Sequence, residues 1–160
     1  DLMGAISIDS ITAVGQPRIK LLKTATQSIP TAEHTIVTWS STDFKSVCTA
    51  LGGNNGIQIN EDGLYHVGYE ITWQSNDTGT RVTYITIGTI NTNRRYAWSS
   101  EIDKTATSSN YPSSSASTIL PLVSGDELYV QTYQDSGGAL NVPPGTDQFF
   151  YNEFYAYKLS

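Results

Sequence analysis

The chain has 160 residues and a formal net charge of −6, with 38% hydrophobic and 15% charged residues. A chain of this length forms one ordinary domain that can bury a core without disulfides or a metal. The acidic balance argues against nucleic-acid binding, which needs clustered Lys and Arg. No apolar run reaches the roughly 18 residues that a membrane helix needs, so we expect neither a nucleic-acid nor a membrane partner.

The composition favours β-structure, because Tyr, Thr, Ile and Val fit pleated surfaces and strong helix formers are scarce. Residues 1–16 are small, polar and irregular, and are predicted to form an extended leader before one domain spanning residues 17–160. Alternation and turn residues predict strands near 17–24, 33–39, 56–60, 65–73, 80–90, 95–100, 117–123, 127–134, 139–142 and 148–159. About eight to ten strands without a helix are typical of an antiparallel sandwich or barrel.

Turn signals predict how these strands connect. Asp62 and Gly63 indicate a turn between two strands, and the polar residues 75–79 lead into residues 80–90. We expect residues 80–90 to pair with the strand before them. Pro121 places its strand at a sheet edge or a bulge, because proline cannot donate a ladder hydrogen bond.

The last strand is aromatic on both faces. Phe149, Tyr151, Tyr155 and Tyr157 alternate with a second set that holds Phe150, Phe154 and Ala156. One face is expected to meet the core, and the other needs cover from a second sheet or a second subunit. The candidates for core or trimer-interface positions are Tyr65, Tyr69, Phe149, Phe150, Tyr151, Phe154, Tyr155 and Tyr157.

Residues suited to catalysis or metal binding are few and scattered. His34, His66 and the single Cys48 form no hydrolase motif and no zinc site. The turn acids lack the pattern of a glycosidase pair or an EF-hand: Glu61, Asp62, Asp77, Asp126 and Asp135. We predict no catalytic residue, no metal and no cofactor. The turn acids are expected to bind backbone groups, and Cys48 is expected to be buried. Because these turns are rich in oxygen atoms, calcium binding is the alternative.

Two stretches are candidates for ligand contact. Arg94, Arg95 and Tyr96 form an aromatic–basic cluster that either ends a strand or docks an anionic glycan or a partner's carboxylates. Tyr111 lies in a Ser- and Asn-rich loop, a composition that binding loops favour. The alternative for this loop is a surface connection without a binding role.

Three segments together resemble the tumour-necrosis-factor-like jelly roll of the complement globular-head family. They are GLYHVGYEITW at 63–73, LPLVSGDELYVQTYQDSGGALNV at 120–142 and FFYNEFYAYKL at 149–159. The resemblance covers about residues 30–160 and implies a jelly-roll sandwich that assembles as a homotrimer. Glu153 stands where the family often has Gly, and no collagen repeat precedes the domain, so the animal-type members fit less well.

A narrower resemblance is to C-terminal domains of tail and fibre proteins from bacteriophages of Gram-positive hosts. RIKLLKTATQSIP at 18–30 and SGGALNV at 136–142 carry it. It implies a non-enzymatic protein on the virion surface, either a tail-fibre receptor-binding domain or a capsid decoration or head-fibre protein. Expected partners are copies of itself, other virion proteins through residues 1–30, and a host cell-wall glycan.

An alternative from a different class is a secreted cellular glycan-binding module. Residues 1–14 do not show a positively charged start followed by an apolar stretch. We therefore expect no signal peptide there, which favours the virion interpretation over the secreted one.

Overall fold

The computed structural model describes residues 16–88, 95–101, 111–145 and 151–160. All but Gln16 of the predicted leader lies outside this part of the chain. The described residues form thirteen strands and one short 3-10 helix at Gly52–Asn54, and none of them belongs to a helix that is long and apolar enough to cross a membrane.

The strands are β1 Arg18–Leu22, β2 Gln27–Ile29, β3 Thr35–Ile36, β4 Ser41–Ser46, β5 Thr49–Ala50, β6 Ile57–Gln58, β7 Gly63–Thr72, β8 Arg81–Ile87, β9 Arg95–Glu101, β10 Ser113–Leu122, β11 Glu127–Gln134, β12 Leu140–Val142 and β13 Glu153–Lys158. Eight of them have five or more residues, and five are short pieces of two or three. The ten predicted segments contain seven of the long strands and the three short strands β3, β6 and β12, and the long strand β4 was not predicted.

Two antiparallel sheets form the sandwich. The five-stranded sheet has the order β10–β7–β13–β1–β4. The six-stranded sheet has the order β5–β6–β11–β8–β9, with β3 also paired to β11, and β12 pairs with β2 in a small separate ribbon. Pro121 lies in β10, the edge strand of the five-stranded sheet, as the sequence predicts.

The core lies between the sheets because apolar residues alternate along the strands. In β7, Tyr65, Val67 and Ile71 are fully buried. In β13, Phe154 and Ala156 are fully buried and point to the same interior. The predicted alternation of residues 65–73 is confirmed, and the structure decides which face of the last strand is internal.

One predicted strand pairing is wrong. β8 pairs with β9 and β11 in the six-stranded sheet, so it does not pair with β7. Asp62 and Gly63 do lie where the chain turns from β6 into β7, as predicted, and these two strands belong to different sheets. The Asp62 carboxylate accepts a hydrogen bond from the Ser124 amide at 2.7 Å. Polar turn residues suit a crossover between sheets as well as a hairpin, which is why the sequence alone misassigned the pairing of β8.

The segment 33–39 is also shorter as a strand than predicted. Only Thr35–Ile36 pairs with β11, although Val37 continues with an amide hydrogen bond to the Val130 carbonyl at 2.9 Å. Conversely, the polar region 40–56 contains the edge strand β4, whose residues Ser41–Ser46 pair with β1. An edge strand needs few apolar residues, so its polar sequence gave no strand signal.

Candidate functional site

The side of the five-stranded sheet that faces away from the core carries aromatic and charged side chains. We call this surface the aromatic face. Its members are Arg18, Lys20, Phe44, His66, Glu70, Ser115, Ser117, Ile119, Glu153, Tyr155 and Tyr157.

Antiparallel register places these side chains in rows across the sheet. Tyr157 lies opposite Arg18 on one side and His66 on the other, and His66 in turn lies opposite Ile119. Tyr155 lies between Lys20 and Gly68. Ile119 is 54% exposed, whereas the two tyrosines are half-buried by their neighbours.

The tyrosine rings pack against each other and against neighbouring strands. Tyr155 and Tyr157 have ring centroids 5.3 Å apart. Tyr155 also contacts the His66 ring at 5.4 Å, and Tyr157 contacts the Phe44 ring at 5.8 Å. The guanidinium of Arg18 lies 5.5 Å from the centroid of the same Phe44 ring. These contacts give the face a continuous aromatic surface across four strands.

Gly68 allows the Tyr155 ring to lie flat on this surface. A Cβ atom at Gly68 would lie 2.6 Å from Tyr155 Cζ and 2.8 Å from Ser117 Cβ. Any side chain at this position would therefore displace the ring.

The charged side chains at one end of the face have different neighbours: Lys20 has acidic partners, whereas Glu70 lies beside another acid. Lys20 Nζ lies 3.0 Å from a Glu153 carboxylate oxygen and 3.5 Å from one of Asp43. The hydrogen bond to Glu153 raises the pKa of Lys20, against the opposing effect of burial. Glu70 lies directly opposite Glu153 in the register, and burial, with the charge of Glu153, raises the pKa of Glu70. An open depression of about 200 Å³ lies over this pair, between β10 and β13.

The structure separates the predicted core and interface candidates. Tyr65, Tyr69 and Phe154 are buried core residues. The Tyr65 hydroxyl donates to the Glu61 carbonyl at 2.8 Å, and the Tyr69 hydroxyl donates to the Thr83 carbonyl at 2.6 Å, so both polar ends are satisfied inside the sandwich.

The remaining candidates differ in position. Tyr155 and Tyr157 belong to the aromatic face, and Tyr151 is 61% exposed just before β13. Phe149 and Phe150 lie outside the described residues. The sequence did not indicate that Lys20, Phe44 and Ile119 join the tyrosines, because their strands are far apart in the chain and meet only through the sheet order.

The ligand-contact candidates do not form one site. Arg95 is exposed on β9, and its guanidinium carbon lies 4.6 Å from the centroid of the Tyr84 ring. Tyr96 packs against the core from the opposite side of the strand. Tyr111 is exposed just before β10, and Arg94 lies outside the described residues.

The turn acids bind backbone and side-chain donors, as the sequence predicts. Asp126 accepts from the Val123 amide at 2.9 Å, and Asp135 accepts from the Thr80 amide at 2.5 Å. Asp77 accepts from the Thr78 hydroxyl at 3.1 Å. Within the described residues, His, Cys, Asp and Glu side chains form no group of three that could hold a metal ion. Cys48 is buried, as predicted.

Solved structures with a similar fold include tumour-necrosis-factor domains. Eiger TNF from S. frugiperda matches with a TM-score of 0.66 and 14% identity, over 91% of this chain and 94% of that one. Murine APRIL at pH 8.0 matches with a TM-score of 0.66 and 14% identity, over 90% of this chain and 99% of that one. Murine APRIL at pH 5.0 gives 0.65 and 15% over the same shares of the two chains. No protein-family model matches the sequence, and no curated protein matches it.

The chain is therefore a TNF-like jelly-roll β-sandwich. The structural matches, with TM-scores of 0.65 to 0.66, establish this fold, and at identities of 14–15% they establish nothing about activity. The fold part of the predicted resemblance is confirmed.

Proposed function

We propose that this protein is a non-enzymatic binding module that forms a homotrimer through the aromatic face and acts on the surface of a bacteriophage particle. The observation that carries the proposal is the aromatic face itself. A sheet surface that carries two tyrosines on β13, a phenylalanine on the edge strand β4 and an exposed isoleucine on the opposite edge strand β10 is typical of a surface that another protein covers.

A second copy of the chain is the occupant that the charges favour. The face carries both signs, with Arg18 and Lys20 on β1 and with Glu70 and Glu153 on β7 and β13. A surface with both signs can place the positive part of one copy against the negative part of the next, as the head-to-tail contacts of a closed trimer require. The TNF-like fold of the chain supports the same assembly.

The virion role rests on the resemblance of residues 18–30 and 136–142 to phage tail and fibre domains. Part of the predicted anchor, residues 1–30, belongs to the folded domain, because Arg18–Leu22 is a strand of the five-stranded sheet and Gln27–Ile29 pairs with β12. We propose a receptor-binding role at the host surface, in which the rigid sandwich presents its loops and its six-stranded sheet to the cell wall.

The homotrimer is tested by an apolar-to-acid change on the aromatic face. Ile119→Asp places a charge on an exposed side chain of the face, and Val47→Asp places the same charge at a similarly exposed apolar site (43%) beyond the end of β4. Val47 has φ 67, a conformation that Asp tolerates better, so the control should fold. In sedimentation, the parent and Val47→Asp should have three times the chain mass and Ile119→Asp a smaller one. A monomeric parent would refute the assembly.

The biological role is tested by binding to two targets in parallel. Purified protein is incubated with host cell walls and with capsids stripped of accessory proteins. Saturable binding to walls supports the receptor-binding role, whereas binding to capsids alone would make the chain a decoration or head-fibre protein. Binding to neither would overturn the virion role and favour a secreted glycan-binding module.

A further inference from the structure

The six-stranded sheet carries a polar cluster on the side that faces away from the core. We call it the Arg95 cluster; its members are His34, Tyr84, Arg95, Gln131 and Tyr133. Tyr84 on β8 lies opposite Gln131 on β11, and their chain neighbours Ile85 and Val130 are fully buried in the core. Because side chains alternate along a strand, Tyr84 and Gln131 point outward.

Tyr84 is only 3% exposed although it lies on the outer side, and its hydroxyl is held by hydrogen bonds. The hydroxyl lies 2.9 Å from His34 Nδ1 and 3.4 Å from Gln131 Oε1. Gln131 Nε2 donates to the Thr86 hydroxyl at 3.0 Å. This network holds the exposed His34 ring through Nδ1, so Nε2 is the ring nitrogen available to a ligand.

Arg95 supplies a positive charge that no described acidic group neutralises. The ion pairs of the described residues involve Lys20 and Lys158, and none includes Arg95. The guanidinium is instead positioned over the Tyr84 ring, which limits its freedom while its donors stay accessible. In a chain with a net charge of −6, an ordered arginine that no described acidic side chain neutralises is a local attraction for anions.

Aromatic surface adjoins this charge. The rings of His34 and Tyr133 have centroids 5.0 Å apart and are tilted by 39°. Tyr133 is half-buried and His34 is exposed, so both rings reach the surface. A ring surface beside a few directed polar donors is the usual composition of a small-molecule site.

We propose that the Arg95 cluster binds an acidic saccharide, a sugar that carries a carboxylate or a phosphate. The Arg95 guanidinium binds the acid group by charge-assisted hydrogen bonds, His34 Nε2 donates a further one, and the Tyr133 ring packs against the sugar. The aromatic surface favours a sugar over an acidic peptide. This proposal rests on the proposed function, since it names the chemistry of the receptor, but binding of a soluble saccharide requires no virion.

The network also predicts how affinity changes with pH. Burial, with the charge of Arg95, lowers the pKa of His34 below its ordinary value of 6.5. When His34 is protonated, Nδ1–H donates to the Tyr84 oxygen and the Tyr84 proton goes to Gln131 Oε1, so each partner remains satisfied. Arg95 on β9 is the charged group that faces His34, and Tyr84 and Tyr133 face it from β8 and β11. An anion between the two cations relieves their repulsion, so affinity rises as pH falls.

The test is calorimetric titration of the full chain at pH 7.5 and pH 5.5. The probes are an oligogalacturonate for the carboxylate, a phosphorylated dextran oligomer for the phosphate, a neutral dextran oligomer and a poly-glutamate peptide. At least one acidic polymer should bind saturably, and more tightly at pH 5.5, while dextran should not bind. Arg95→Gln should weaken binding about tenfold, the order expected for one charge-assisted contact.

Two variants sharpen the result. Lys45→Gln removes the same charge from an exposed site on β4 and should leave affinity unchanged. His34→Asn retains a polar group toward Tyr84 and should abolish the pH dependence. Absence of binding by both acidic polymers, equal loss in Lys45→Gln, or equally tight binding of poly-glutamate would overturn the proposal. Saccharide binding by a chain that binds neither walls nor capsids would overturn the virion role and leave this site standing.

Discussion

Lys23 is a buried amine whose charge should make stability depend on pH. It follows β1 and is 1% exposed. Its Nζ donates to Gln27 Oε1 at 3.1 Å and to the Thr38 carbonyl at 2.8 Å. No acidic side chain of the described residues forms an ion pair with it. Burial lowers the pKa of Lys23 from 10.5 to about 8, because the charged form loses hydration without gaining a counter-charge.

The lowered pKa of Lys23 determines whether stability rises or falls with pH. The folded state releases the Lys23 proton near pH 8, whereas the unfolded chain holds it to about 10.5. Between these values the unfolded state binds one more proton, so the free energy of unfolding rises with pH by about 1.4 kcal/mol per unit. From pH 8 to pH 10 the gain amounts to about 2 kcal/mol.

Other groups lower the free energy of unfolding over the same pH range, so their contribution must be removed by comparison with a variant. Burial raises the pKa of Cys48 to about 11 and of Tyr65 and Tyr129 to about 12. Above pH 9 to 10 these groups ionise in the unfolded chain while they stay protonated in the folded protein, so each of them lowers the free energy of unfolding as pH rises. Lys23→Met retains all three. The difference between parent and variant therefore isolates Lys23, apart from a cost of about 1 kcal/mol for the lost hydrogen bonds that does not vary with pH.

The assay is urea unfolding followed by tryptophan fluorescence at pH 8, 9 and 10, at one protein concentration because self-association adds to apparent stability. The stability of the parent relative to Lys23→Met should increase by about 2 kcal/mol over this range. A constant difference would show that the folded state does not penalise the charge, and would refute the reasoning.

Three further predictions concern stability and reactivity. Glu70→Gln should raise the free energy of unfolding by about 0.5 kcal/mol at pH 7, because it removes a like charge opposite Glu153, and the gain should disappear in urea titrations below pH 4. Cys48 should react with Ellman's reagent only in unfolding urea, since burial and the charge of a nearby glutamate raise its pKa to about 11; fast native reaction would contradict this. Gly79→Ala should lower the free energy of unfolding by about 1–2 kcal/mol, because Gly79 has φ 77 and a Cβ would lie 2.7 Å from the Asp135 backbone. An unchanged melting temperature would show that the backbone tolerates this side chain.

The alternation of apolar and polar residues predicted those strands that bury one face in the core. The β7 pattern around Tyr65 and Val67 survives in the structure because one face of that strand is wholly buried. Strand pairing was not predictable in the same way. Residues 75–79 are polar whether they close a hairpin or cross between sheets, so nothing local indicated that β8 pairs with β11.

The candidate sites show the same limit. Aromatic residues on both faces of β13 indicated that one face needs a partner, and only the register of Phe154 against Tyr69 shows which face is internal. Arg95 was identified from sequence as part of an aromatic–basic cluster. Its ring partner is Tyr84, which also contacts His34, 50 residues away in the chain. Such a contact arises from sheet order and leaves no periodic signal.

The two proposed surfaces lie on opposite sheets, and this arrangement predicts avidity. A trimer assembled through the aromatic face leaves the Arg95 cluster of each subunit on the outside. Each site offers few donors to a solvated sugar, so a single saccharide should bind weakly, whereas a polymer that spans two or three sites gains effective concentration and binds about a hundredfold more tightly. Ile119→Asp tests this link, because a dissociated chain keeps the cluster and loses the multivalency. It should bind the short acidic oligomer as the parent does and lose the advantage on intact walls. Equal wall binding by the two proteins would show that the sites act singly.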